Sequence, residues 1–340
     1  MRFKGYPTLH RTAQHRRLET LSPHERDTIV CVVQEKLHGA NLSLWTDGKT
    51  VRLAKRTAFL KPKEAFFGAH ALLPDLEEHV LALFHGLHAE RPTRSVAIFG
   101  ELIGGGYPHP DVAPDPTATL VQRGVYYCPY NTFVAFDILH NGNIFLGVDQ
   151  ANSLLKSHGI QHAETLFRGS LGKALDYPNR FITSFPTRLG LPPIEDNLCE
   201  GVVIRDVRQA AQKDAGRMVF KNKNARFQEK DPAVAKALKQ SKQFKKLKPH
   251  LREPAAQLAA MVCRARLANV LSKFGAVQER DLPRLARNLK TDVLNAFNQD
   301  HEGLFSRLSR HDQQRLDVLL NQHVHKLMDQ HTFAILDGTF

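Results

Sequence analysis

The chain has 340 residues, 47 of them Lys or Arg and 34 Asp or Glu, for a formal net charge of +13. With 42% hydrophobic and 24% charged residues, 21 glycines and 18 prolines, it reads as a soluble globular protein of about two domains rather than a collagenous or low-complexity chain. No run approaches the roughly 18 uncharged apolar residues of a membrane-spanning helix. The first residues lack the apolar core of a secretory signal, and Cys31, Cys128, Cys199 and Cys263 are scattered without a CxxC. Buried free thiols in an intracellular, cytoplasmic protein are therefore expected. The excess of positive charge suggests a polyanionic partner without saying which.

In chain order, residues 28–36, 42–45, 51–54, 96–101, 132–138 and 201–205 are β-branched or apolar runs of strand length. Asp47-Gly48 and Asn141-Gly142 are hairpin signals. Residues 72–88 and 149–159 read as helices, the second stopped by its glycine. Helices do not alternate regularly with strands, which predicts an α+β domain with antiparallel sheets rather than a parallel βαβ array. At Asp231 the texture changes. Residues 231–250 hold six lysines against one acid, either a solvated charged face or a phosphate-tracking surface. Helical periodicity follows. Cys263, Leu267, Val270, Leu271 and Phe274 precede a stop at Gly275. Leu282, Leu285, Ala286, Leu289, Val293 and Phe297 stand behind Asp281 as an N-cap, with Pro283 in the first turn. Residues 304–308 and 316–327 add further apolar faces. The expected division is a domain over 1–235 and a small all-helical domain over 245–340.

The chemistry concentrates in a few segments. Gln34-Glu35-Lys36-Leu37-His38-Gly39-Ala40-Asn41 puts an amine at a strand end, beside a glycine that permits close backbone approach. A surface lysine is protonated and inert, whereas burial and neighbouring cations lower its pKa and make it a nucleophile. Phe99-Gly100-Glu101 sets a carboxylate before a Gly-rich turn. Phe136 and Asp137 are adjacent on a strand and so expected on opposite faces. Glu200 precedes another strand, and Lys221 and Lys223, at i and i+2, share one face of a third. Each has an ordinary alternative: Phe136 as a core aromatic, Glu101 and Glu200 as surface strand ends, the lysines as guards of a sheet edge, His38 as a loop hydrogen-bonder. Jointly they supply a nucleophile, cations for phosphates, carboxylates for metal and ribose, and an aromatic for a base. That is the inventory of a nucleotidyl-transfer site.

The ordered set Glu35-Lys36-x-His38-Gly39-x-Asn41, Phe99-Gly100-Glu101, Phe136-Asp137, Glu200-Gly201-Val202-Val203 and Lys221-x-Lys223-Asn224 resembles the covalent nucleotidyltransferases. His38, where DNA ligases and capping enzymes commonly carry an acid, is similar to the RNA ligase 2 type of ATP-dependent RNA ligase, the group that includes the kinetoplastid RNA-editing ligases. Ala54-Lys55-Arg56-Thr57 with Phe66-Phe67-Gly68, residues 104–109 with their Tyr-Pro-His, and Val121-Gln122 leading to Val125-Tyr126-Tyr127 resemble that group as well. Trp45 departs from it, in a way that bears on packing.

The resemblance implies an antiparallel-sheet adenylyltransferase domain followed by a helical one. Lys36 is expected to attack the α-phosphorus of ATP and form lysyl-AMP. AMP then passes to an RNA 5′-phosphate, and a 3′-OH displaces it to form the phosphodiester. Lys36, His38, Lys221 and Lys223 are the expected catalytic residues, with His38 acting after the first step. Glu35, Asn41, Arg56, Glu101, Phe136, Glu200, Lys221 and Lys223 are expected around the nucleotide, Phe136 stacked on adenine and Glu101 and Arg56 on the ribose. Glu200 and Asp137 are expected at Mg²⁺ or Mn²⁺. The expected partner is RNA, nicked or splinted in a duplex, and the expected state is a monomer. A DNA ligase or capping enzyme is the alternative; these usually append an OB-fold, where this C-terminal region reads helical.

Overall fold

A computed structural model describes residues 1–7, 9–11, 18, 20–208, 217–271, 274 and 277–340, which divide into two units, Met1–Asn224 and Ala225–Phe340. The strands of the first are β1 (His10–Arg11), β2 (Val30–Glu35), β3 (Ala40–Thr46), β4 (Val51–Lys55), β5 (Val96–Gly104), β6 (Asn131–His140), β7 (Ile144–Phe145), β8 (Thr165–Ser170), β9 (Gly201–Asp206) and β10 (Val219–Lys223). They form two five-stranded sheets, ordered β1-β10-β9-β2-β8 and β4-β3-β5-β6-β7. Every pairing is antiparallel except that of β1 with β10, so the α+β class expected from the sequence is the one observed. Its helices are α1 (Pro23–Thr28), α2 (Leu73–Glu90), α3 (Val148–Ser157), α4 (Leu171–Leu175) and α5 (Phe185–Arg188).

Side-chain alternation divides the second sheet into two faces. Leu42, Leu44, Ile98 and Leu102 point to the face covered by α2, whose Val80, Leu83, Phe84 and Leu87 recur at helical spacing. Their neighbours Trp45, Ala97 and Phe99 point to the other face and join an aromatic cluster with Phe3, Tyr6, Phe59 and Phe145. Trp45 fits there because its indole Nε1 donates to Ser43 Oγ at 2.9 Å.

On β6 the alternation breaks. Phe99 pairs with Asp137 and Gly100 with Ala135, leaving Phe136 as the extra residue of a β-bulge. Ala135 and Ile138 both reach the helix-covered core, and Phe136 and Asp137 both reach Tyr6 on the other side. The expectation of opposite faces is corrected by that one inserted residue.

The second unit contains α6 (Pro232–Gln240), α7 (Lys242–Lys245), α8 (Pro249–Met261), α9 (Arg264–Leu271), α10 (Leu282–Asp300), α11 (Leu304–Arg307) and α12 (Arg310–Leu336). Its described residues form no strand. Leu251, Leu258, Leu285, Leu289, Phe297, Leu316 and Leu320 form its core, and the periodic residues on α10 are the buried ones except Leu282, which is partly buried at the helix start. The capping differs from expectation. Asp281 has helical dihedrals and caps nothing at α10; it closes a capping box with Gln278 one turn earlier, around a 3₁₀ turn over Glu279–Asp281. The predicted stop at Gly275 lies outside the described residues. Inside this unit the buried Arg266 is tied to Glu229 at 3.0 Å and to Asp292 at 2.5 Å. No helix among the described residues is long and apolar enough to cross a membrane.

Candidate active site

Lys36 follows the last residue of β2, the strand between β8 and β9, and its backbone N–H donates to Gly201 O at 2.9 Å. That bond aligns the end of β2 with the start of β9, where Glu200 stands. Lys36 Nζ lies 2.6 Å from Glu200 Oε2, and Lys223 Nζ, from β10, lies 2.9 Å from Glu200 Oε1. His38 Nδ1 approaches Oε2 at 3.3 Å. One carboxylate, 4% exposed, therefore gathers three basic side chains from two segments, Lys36 and His38 from the turn after β2 and Lys223 from β10.

Burial by itself would raise the Glu200 pKa. Lys223 and Lys36, then His38, overcome it and hold the carboxyl well below its usual range. The nearest charged partner of the Lys36 amine is thus an anion, where the sequence suggested neighbouring cations. Lys221 lies two residues before Lys223 on β10, on the same face of the strand.

Two glycines allow this approach. At Gly39 a Cβ would stand 2.1 Å from Leu102 O and 2.9 Å from Glu101 Cγ. At Gly201, where φ is +139°, it would stand 2.2 Å from Asn222 O and 2.8 Å from Lys223 Cα. Any side chain there would separate the strands that carry Lys36, Glu101, Glu200 and Lys223.

Glu101 on β5 pairs with Asn41 on β3, and Asn41 Nδ2 donates to Gly100 O at 3.5 Å. Loss of hydration pushes the Glu101 carboxyl up to about 7. Lys36 opposes that shift, the negative charge of Glu200 adds to it, and the Gly39 N–H and Arg56 oppose it more weakly. Lys36, Glu200, Glu101 and Arg56 therefore act on one electrostatic field. Arg56 itself is exposed, just past β4.

Two expected residues have other occupations. Glu35 points away from Lys36, and its carboxylate accepts from the Thr183 hydroxyl, from Ser184 N at 3.0 Å and from Ser184 Oγ at 2.8 Å. Adjacent residues at a strand end face opposite ways, so Glu35 anchors the segment behind the site. Asp137, fully buried, is ion-paired to Arg205 at 3.0 Å and Arg217 at 2.5 Å and accepts from Tyr6 Oη at 2.8 Å. Its oxygens are engaged by two guanidiniums and a phenol, so the structure gives it a place in the network joining the sheets where a metal ligand beside Glu200 was expected. Phe136 lies edge-on to Tyr6, with ring centroids 5.0 Å apart.

Among the described residues no three His, Cys, Asp or Glu side chains form a ready-made metal cage. Mg²⁺ is commonly held by one or two carboxylates together with substrate phosphates and water. Glu200, with Glu101 in its field, is the acid suited to that arrangement.

Sequence reasoning missed several members of the network. Arg205 is 1% exposed and joins the two sheets: its guanidinium reaches Gln34 Oε1 at 3.2 Å, the Phe136 carbonyl and Asp137. An arginine inside the run Val202-Val203-Ile204-Arg205 is the signal that could have marked it. Tyr6 stands in the N-terminal segment and Arg217 just before β10, and neither carries a local signature. The four cysteines are buried free thiols.

Residues 29–223 match the RNA ligase family model, and residues 245–326 match the model described as T4 RNA ligase 2 C-terminal. The chain is similar to mitochondrial RNA-editing ligase 2 of Trypanosoma brucei brucei, 30% identical over 80% of this chain and 77% of that protein. It is 32% identical to mitochondrial RNA-editing ligase 1 of the same organism, over 62% of this chain and 52% of that one. Among solved structures, a Naegleria gruberi RNA ligase mutant with ATP and Mn superposes with a TM-score of 0.46 at 15% identity. That match covers 66% of this chain and 57% of the other, so the chain spans little more than half the length of the Naegleria protein and of RNA-editing ligase 1.

Proposed function

The chain belongs to the RNA ligase family, and on that premise we propose that it is an ATP-dependent ligase joining RNA 3′-OH and 5′-phosphate ends. The observation that carries the proposal is the single carboxylate, Glu200, that holds Lys36, Lys223 and His38 together. In this reading Lys36 Nζ forms a bond to the α-phosphorus of ATP as the bond to pyrophosphate breaks. AMP moves to the oxygen of an RNA 5′-phosphate, and a 3′-OH then attacks that phosphorus and releases AMP. Lys221 and Lys223 neutralise phosphate oxygens, and such charge clamping dominates phosphoryl transfer. Phe136 supplies an aromatic face to the base, while Glu101, Asn41 and Arg56 serve the ribose side. His38 acts on the steps after lysyl-AMP. Glu200 would hold Mg²⁺ or Mn²⁺, which supplies positive charge to the phosphates.

The preferred substrate is a nick or splinted junction in duplex RNA, acted on by a monomer. A division of labour is proposed between nucleotidyl transfer over 1–235 and RNA contact over 245–340. In the second unit Lys239, Lys242, Lys245, Lys246 and Lys248 are exposed along α6, α7 and the start of α8. Such a series suits a phosphate backbone and predicts salt-sensitive binding. A helical second unit, where DNA ligases and capping enzymes usually append an OB-fold, favours the RNA ligase reading. Four buried thiols suit a reducing, intracellular location, cytoplasmic in this reading; the two trypanosome relatives are named as mitochondrial. Radiolabelled ATP, but not GTP, is expected to label the protein through an acid-labile bond, and the labelled protein is expected to seal nicked RNA faster than nicked DNA. Labelling by GTP alone, or sealing confined to DNA, would reject the proposal.

A further inference from the structure

The connection from β5 to β6, residues 105–130, contains neither helix nor strand. A connection of that length inside a compact unit commonly carries function. Its Tyr127 is 1% exposed, and the phenol ring packs edge-on against Phe185, with centroids 5.8 Å apart. The hydroxyl oxygen accepts the backbone N–H of His38 at 2.8 Å. From the same connection Gln122 Nε2 donates to Gly39 O at 3.3 Å, so the turn that follows Lys36 is held at two successive residues.

The neighbouring residue points the other way in function. Tyr126 N donates to Asn197 Oδ1 at 2.9 Å, and Asn197 Nδ2 donates back to Tyr126 O at 2.7 Å. Asn197 is 4% exposed and stands three positions before Glu200. The dipeptide Tyr126-Tyr127 therefore grips the segment carrying Lys36 and His38 on one side and the segment carrying Glu200 on the other.

We propose that Tyr127 is a positioning residue for nucleotidyl transfer, its hydroxyl fixing the His38 peptide so that Lys36 and His38 meet Glu200, with Asn197 holding Tyr127 in register. The inference rests on the ligase reading above. The ring stays a neutral phenol, because burial and then the charge of Glu35 push its pKa well above the usual value; Tyr127 is therefore placed to hold and not to take a proton from the reaction. Without the hydroxyl, a buried N–H two residues from the nucleophile loses its acceptor, and the peptide turns to find another. Small displacements of that kind cost reaction rate far more than they cost binding.

The test is single-turnover self-adenylylation of the full chain with ATP and Mg²⁺, comparing wild type, Tyr127→Phe and Asn197→Ala and following thermal unfolding in parallel. For Tyr127→Phe the maximal rate constant is expected to fall roughly 10- to 100-fold, while the half-saturating ATP concentration moves less than about threefold and the unfolding midpoint changes little. Asn197→Ala is expected to show the same split, less strongly. An unchanged rate constant in Tyr127→Phe overturns the positioning role, as does a rate loss matched by an equal loss of ATP affinity. Should Tyr127→Phe not fold, an unchanged rate constant in Asn197→Ala overturns it instead. A wild-type chain that takes no label from ATP overturns the ligase reading and this inference together, whereas a labelled wild type equalled by Tyr127→Phe overturns this inference alone.

Discussion

Lys36 Nζ and Glu200 Oε2 lie 2.6 Å apart across a sequence separation of 164 residues. Two hydrogen bonds beside the pair make that contact: Lys36 N to Gly201 O, and Asn224 N to Glu200 O, both 2.9 Å. They sew β2 and the residue after β10 to the start of β9, so the basic side chains converge on one carboxylate. Preorganised charge of this kind needs little rearrangement at the moment of reaction.

If Lys36 is the nucleophile, Lys36→Ala abolishes labelling by ATP and leaves the later chemistry standing. The variant is expected to seal RNA supplied with a pre-adenylated 5′ end while failing on ordinary 5′-phosphate ends. Labelling of Lys36→Ala at the wild-type level would remove Lys36 from the role.

Glu101 gives a pH dependence with a definite sign. Its carboxyl titrates at about 7 in the folded protein against an ordinary value of 4.5, so between those values the folded state binds more protons than the unfolded. The stability it contributes is full below the ordinary value and lost as pH rises through 7. Glu101→Gln removes the cost of ionising a desolvated acid and still accepts the Gly39 N–H. The nucleotide-free variant should be more stable than wild type at pH 8, by up to about 3 kcal/mol, and should unfold at a higher temperature. The difference should close toward pH 5. Melting curves of both proteins at the two pH values decide this; a gap that widens toward pH 5 has the wrong sign.

Gly39→Ala forces a methyl against the Leu102 carbonyl and the Glu101 side chain. Overpacking of this kind costs roughly 1–3 kcal/mol, and relief comes only by moving the Lys36 turn away from β5. Both the melting temperature and the adenylylation rate should fall. An alanine variant with normal labelling would mean that the turn yields elsewhere.

A chain ending at Asn224 keeps both sheets and, with Glu200, the Lys36, His38 and Lys223 side chains that it holds. It should still self-adenylylate, yet join RNA strands at least tenfold more slowly than the whole chain, with weaker salt dependence of RNA binding. Equal strand joining by the two would count against a substrate-gripping role for the helical unit.

Much of the first unit is readable by eye. Helix α2 shows its apolar stripe at Val80, Leu83, Phe84 and Leu87, and β3 alternates Leu42 and Leu44 with Ser43 and Trp45. Edge strand β8, Thr-Leu-Phe-Arg-Gly-Ser, is not readable, because with one side unpaired it needs no sustained apolar pattern and includes a glycine. The Phe136 bulge is equally silent. Nothing in Phe-Val-Ala-Phe-Asp announces an extra residue, since the opposing strand and the Tyr6–Arg205 surroundings impose it.

Linear patterning was enough to expect an antiparallel α+β unit followed by helices, and the ordered motifs with their family resemblance singled out Lys36, His38, Glu101, Glu200, Lys221 and Lys223 as the chemically telling side chains. Periodicity and short motifs are local properties that each segment carries with it. Tertiary structure alone decided that Asp137 answers to arginines, that Glu35 anchors Thr183 and Ser184, and that one carboxylate serves three bases. Those outcomes depend on which strands lie side by side and in what register, a matter of long-range closure that no window of neighbouring residues contains.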